Sequence, residues 1–401
     1  MLVSSQLYSQ VEGSQQKQVR FFLDCDDCDF TFVRQELPFV SFVRDPKLAQ
    51  VHILSSFSRT GSGGRRYVLN FIGMNEMEGN HFEYTYFAEQ SDSEDDIRRG
   101  LLQLLKAGIV QYYSVAGILS SVELELSPGE NSLVATELKD RWNLWIFNLE
   151  GGTRFEKEAN QNEFSLNTEF EVEKVTEAWK TRFEVEYSID SENYFNDGEK
   201  ISNNQQNTEV GVDYIKSLSQ RWSAGAFSGY NSQTYLNIRN MVYADAGIEY
   251  NIFPWDISNR KVFTFRYTAG VNLYDYNEIT IYGKLHETLY HESLSLNLRM
   301  VQPWGNIETS LEGRHYFHDF TKNRLTLDSN FSVRLSKALS VYWELQAEMV
   351  HDQLYLPQGD TSLEDLLLRR RKLATDYEFR GEMGIRFTFG SIYSNVVNER
   401  F

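Results

Sequence analysis

The sequence predicts a mainly β protein: a twelve-stranded antiparallel transmembrane β-barrel preceded by a small α/β domain of β-α-β-β-β-α order. Three observations carry this. Beyond residue 140 the chain alternates apolar and polar residues with period two over long stretches. Twelve such stretches can be counted, and bacterial single-chain barrels need an even number. Short connections alternate with longer, more polar ones, as the two ends of such a barrel do. No run approaches the roughly 18 consecutive apolar residues of a membrane helix, but a barrel signals itself by alternation, which average hydropathy misses.

The elements divide into four regions. Residues 1–16, MLVSSQLYSQVEGSQQ, read as the remnant of a secretory signal peptide and a disordered start, with cleavage near Ser9 or Gln10. Residues 17–125 read as the α/β domain, 126–140 as a linker and 141–401 as the barrel. In the domain, Val19 to Leu23 suits a strand. Phe32, Val33, Leu37, Val40 and Val43 have helical spacing up to Pro46, where proline stops the helix. Val51 to Ser55 is a second strand, and Tyr67 to Ile72 returns through Phe82 to Phe87 as a hairpin. Ile97, Leu101, Leu104, Leu105 and Ile109 form the apolar face of a last helix, capped by Ser91 or Ser93.

One chemical feature stands out here, Cys25-x-x-Cys28 within LDCDDCD. Zinc would want a second pair or a histidine at ligand spacing, and the flanking aspartates oppose a lowered thiol pKa. A structural disulfide in an oxidising compartment is the leading reading; buried free thiols and cation capture by the aspartates stay open. His52, among apolar strand neighbours, reads as a satisfied core residue, and Gly61-x-Gly63-Gly64 as a hairpin turn.

The barrel strands lie near 142–155, 162–173, 178–190, 204–216, 221–231, 238–252, 261–275, 290–301, 305–317, 322–335, 339–354 and 376–390. Phe263, Phe265, Tyr267 and Val271 alternating with Thr264, Arg266, Thr268 and Asn272 show the pattern. Short links at Lys174–Glu177, Ser217–Gln220, Gln302–Trp304 and Ser336–Ala338, with the somewhat longer Phe253–Arg260, fall on one side. Long ones at Asp190–Asn203, Tyr276–Leu289 and Tyr355–Thr375 fall on the other. With the α/β domain in the periplasm, the short turns are periplasmic and the long loops external. Of 7 Trp, 23 Tyr and 27 Phe, several near strand ends (Trp142, Trp179, Trp222, Trp304) suit interfacial girdles. A net charge of -18 argues against nucleic-acid binding.

The polar strand faces supply the candidate lumen. They carry Glu169, Glu171, Glu184, Glu186, Glu249, Glu308, Glu312, Glu344, Glu348, Glu378 and Glu382, opposed by Arg182, Arg266, Arg299, Arg314, Arg334, Arg380 and Arg386. Two uses compete: a narrow polar pore that leans toward cations, or a salt-bridge network that seals the barrel and leaves it as an anchor for the periplasmic domain. An outer-membrane hydrolase of phospholipase type is the alternative. It would draw on His286, His291, His315, His318 or His351 with Ser293 or Ser310, yet no nucleophile motif accompanies them. No cofactor or metal is called for. The segment from Leu356 to Ala374 ends in Arg369-Arg370-Arg371-Lys372: an amphipathic helix whose basic end meets lipopolysaccharide phosphates, or a loop that pairs with this acidic protein.

Several pieces carry a resemblance: Thr176-Glu177-Ala178-Trp179-Lys180, Glu249 to Pro254, Arg299-x-x-Gln302-Pro303-Trp304-Gly305, Asp352 to Pro357 and the tail Phe389 to Phe401. In these the chain resembles uncharacterised Gram-negative outer-membrane β-barrel proteins, and its barrel is similar to the salt-induced outer-membrane protein family. The resemblance implies an outer-membrane location and carries no catalytic residue across; the barrel reading makes membrane lipid and lipopolysaccharide the expected contacts. A non-enzymatic porin-like barrel is therefore expected, its residues 17–125 open to an envelope partner.

Overall fold

The computed structural model describes residues 18–25, 27–61, 63–119, 141–196, 199–336, 339–359 and 372–387. Strand β1 (Arg20–Asp24) alternates, so Phe21 and Leu23 share one face and Phe22 and Asp24 the other. Helix α1 (Phe30–Glu36) starts at Asp29, whose side chain accepts the Phe32 N–H. It stops at Leu37 rather than at Pro46. Pro38 offers no N–H and disfavours helical geometry in the residue before it, and Leu37 sits at φ -125° and ψ 53°. The released segment forms β2 (Ser41–Phe42), a two-residue parallel partner of β1 that the apolar spacing does not announce.

Strands β3 (Val51–Arg59), β4 (Arg65–Gly73) and β5 (His81–Ala88) complete a five-stranded sheet of order β2-β1-β3-β4-β5. Its first half is parallel and its second antiparallel. The β3–β4 turn closes with the Thr60 N–H donating to the Gly64 carbonyl, and Gly63 has φ +70. Helix α2 (Glu94–Val115) opens on a capping box between Ser93 and Asp96. Its apolar face lays Leu101, Leu105, Ile109 and Tyr112 over Phe21, Ile53, Leu69 and Phe71, forming a single core. The Tyr112 hydroxyl donates to the Phe71 carbonyl at 3.1 Å, so the buried phenol is satisfied. Cys25 and Cys28 are joined in a disulfide at the end of β1.

Twelve long strands follow. They are β6 (Trp145–Lys157), β7 (Gln161–Val175), β8 (Trp179–Asn196), β9 (Glu199–Ser217), β10 (Trp222–Gln233) and β11 (Ile238–Asn251). Then come β12 (Lys261–Tyr276), β13 (His286–Gln302), β14 (Gly305–Tyr316), β15 (Asp319–Arg334), β16 (Leu339–Val350) and β17 (Tyr377–Phe387). Each pairs antiparallel with its chain neighbours in a single twelve-stranded sheet. Among the described residues β6 and β17 are not paired with each other. The shortest strand has 11 residues, enough to cross a bilayer at a tilt. One face is apolar and exposed, with Val212, Ile248, Phe265 and Leu294 between 37% and 50% accessible; the other is polar.

Two expected loops are shorter than their polarity suggests. β8 and β9 stay paired through Asp190–Asn203 until Asn196↔Glu199, and β13 already begins at His286. A strand pair leaving the apolar zone keeps its backbone ladder while its side chains turn polar, so alternation fades before the strand does. The β14–β15 link is also only Phe317–His318, so the end opposite the short turns is not uniformly long-looped. The signal remnant, the linker at 126–140, Arg369 to Arg371 and the tail from Phe389 lie outside the described residues.

Candidate functional site

Cross-strand register decides which charges meet. Glu150↔Glu169, Glu169↔Glu186 and Glu186↔Glu209 are direct partners, so four carboxylates stand in one row across β6 to β9. The next row brings Glu171 opposite Glu184. Like charges placed opposite one another destabilise a sheet, and here they are only partly offset. Arg182 bridges Glu171 at 2.9 Å and Glu184 at 2.7 Å, and Lys180 pairs with Glu173. No described cation lies within ion-pair distance of Glu150, Glu169, Glu186 or Glu209. Carboxylate oxygens of Glu169, Glu184 and Glu186 lie within 4.8 Å of one another, three ligands where calcium takes six to eight.

The other half of the polar face is closer to balance. Arg266 holds Glu249 at 2.7 Å, and Arg299 donates to the Ser258 carbonyl at 2.8 Å, in register with Glu308. Glu312 accepts from Ser295 at 2.9 Å. Arg314 and Arg324 converge on Asp352, and Arg324 also reaches Glu348 at 3.1 Å. Glu344 faces Glu382, while Glu378 takes Lys372 at 3.3 Å and Arg380 at 3.6 Å. Arg334 and Arg386 line a cavity of about 300 Å³ against the α/β domain.

That cavity belongs to a junction absent from any local reading. Asp24, on the β1 face away from the domain core, makes a two-pronged ion pair with Arg334. His52 Nε2 lies 2.9 Å from the same carboxylate, and Phe22 lies 5.2 Å beneath the Arg334 guanidinium. Burial alone would raise the Asp24 carboxyl pKa; the hydrogen bonds from Arg334 and His52 outweigh it and hold the group below its usual range. Elsewhere on the junction, a cavity of about 520 Å³ lies between Arg59, Thr60 and Arg65 of the β3–β4 turn and Glu150, Glu169, Glu171 and Arg182. The domain therefore sits at the strand ends that carry the short turns.

The candidate histidines have partners other than the candidate serines among the described residues. His315 pairs with Glu292 at 2.8 Å and His286 with Asp275 at 2.9 Å, both off the polar face, while His351 meets Asn323. His291 faces inward with Asp245 at 3.1 Å. His318 makes a ring contact with Tyr316. Ser293 shares its hydrogen bond with Thr268 at 2.7 Å, and no histidine is hydrogen-bonded to a serine among the described residues.

Sequence reading placed every predicted glutamate and arginine on this one face. Glu150, Glu209, Arg324 and Asp352 share the parity of that face without having been singled out, and the pairing of Asp24 with Arg334 is marked by no local pattern.

No known protein family matches the chain, and no curated protein matches it. Among solved structures it is similar to one described as "NanC porin structure in rhombohedral crystal form", at 10% identity, covering 61% of this chain and 99% of that one, with a TM-score of 0.29.

Proposed function

We propose that the chain is an outer-membrane β-barrel forming a narrow polar pore that leans toward cations, with its α/β domain on the periplasmic mouth. The row Glu150, Glu169, Glu186 and Glu209 carries this reading. A sealing salt-bridge network would neutralise such a row, whereas a water-filled lumen tolerates it and concentrates cations along it. The motif resemblance to salt-induced outer-membrane proteins agrees with the location. The test is reversal potential in planar bilayers under a salt gradient. Glu169→Gln with Glu186→Gln is expected to lower the cation-to-anion permeability ratio several-fold; unchanged selectivity in a conducting double variant would end the cation reading.

The Asp24–Arg334 pair favours a second, compatible use. It fastens the domain to the barrel, as an anchor for an envelope complex requires.

A further inference from the structure

The segment after β16 does not loop away from the barrel. His351 donates its backbone N–H to the Asn323 carbonyl, and the chain then turns inward across the mouth opposite the α/β domain. The Asn237 side-chain amide donates to the Tyr355 carbonyl at 3.0 Å. Asn237 belongs to the β10–β11 hairpin, half a barrel away from β16 in strand order. Thr280 and Pro357 form a bridge flanked by the bonds Ile281 N–H to Leu356 O and Gln358 N–H to Ile279 O. Leu354 and Leu356 are 6% exposed, and Leu354 packs on Leu289 and Tyr316.

One carboxylate fixes the segment. The Asp352 side chain is 2% exposed and takes Arg314 at 3.0 Å and Arg324 at 2.9 Å. Those arginines are direct cross-strand partners, so they repel each other wherever no anion stands between them. With the segment withdrawn, Arg324 keeps Glu348, Arg314 loses its only carboxylate among the described residues, and both must be solvated by water. In the closed arrangement Asp352 stands between the two guanidiniums, with the Arg314 Nε buried and without a hydrogen-bond partner; in the open one water solvates both.

We propose that residues 351–359 are a lid over the outer mouth, latched by Asp352 between Arg314 and Arg324. Its role as a gate rests on the pore reading above. Thr280 and Pro357 form a non-hydrogen-bonded antiparallel pair, the register in which side chains come closest. Cysteines at both positions would therefore lock the lid.

The experiment compares the purified full chain, Asp352→Asn and the Thr280→Cys, Pro357→Cys double variant in planar bilayers. Asp352→Asn is expected to raise mean conductance at least threefold. The oxidised double variant, its cross-link verified by mass, is expected to fall silent and to recover with dithiothreitol, while the parent chain is indifferent to the reductant. Parent-like conductance in the locked protein would overturn the lid. If no variant conducts, the pore reading fails, and the lid is judged separately by attaching a membrane-impermeant maleimide to Ser310→Cys from outside. Labelling at least fivefold faster with Asp352→Asn supports the lid, and equal rates refute it.

Discussion

Asp24 shows how one side chain joins two parts of a chain. Alternation in β1 places it with Phe22 opposite the core, and tertiary structure brings Arg334 to it. Its lowered carboxyl pKa stabilises the junction in full above the unfolded value near 3.9. That stabilisation is lost as pH falls through the still lower folded value, because protonation then costs the ion pair. Asp24→Asn should weaken docking by about 1.5–3 kcal/mol, the usual worth of a charged hydrogen bond. We expect trypsin cleavage that separates the domain from the barrel to accelerate roughly tenfold at pH 7, since 1.4 kcal/mol is a factor of ten. The parent chain should accelerate likewise as pH falls below the unfolded value and on through the folded one, with an acid-tolerant protease as the probe. Resistance that does not fall at all between pH 7 and about pH 2 would contradict the role given to Asp24.

At the scale of elements, glycines on α2 decide how close helix and sheet come. A Cβ on Gly108 would stand 2.1 Å from the Phe71 ring, which is fully buried; one on Gly100 would meet the half-exposed Tyr86 ring at 2.2 Å. Overpacking a fixed ring costs about 1–3 kcal/mol, while a ring with room to swing yields. Gly108→Ala should therefore lower the melting temperature of the domain by several degrees, and Gly100→Ala by less; thermal unfolding followed by near-UV circular dichroism checks the order. Element boundaries were legible where chemistry is local. Ser93 with Asp96 marks a helix start, and alternation located all twelve long strands. They were illegible where another rule competes. Helical spacing continued past Pro38, whose missing N–H ended α1, and polarity hid the outer halves of β8 and β9.

For the whole molecule, the short turns and the α/β domain share one end and the lid occupies the other. The proposed orientation predicts opposite accessibility for the two ends. A maleimide that cannot cross the membrane should label Phe317→Cys in intact cells, and Ser219→Cys only after permeabilisation. Labelling of both, or the reverse, would invert or abolish the topology. The sequence by itself determined the architecture and the charge of the polar face, because both follow from period-two alternation, a property of neighbours in the chain. Only the tertiary structure decided which charges are neutralised. Glu150, Glu169, Glu186 and Glu209 align by register, and Asp24 and Asp352 find arginines far away in sequence. Ion pairing acts over a few ångströms of space, and that proximity is set by how the sheet curls and where the domain and lid close on it.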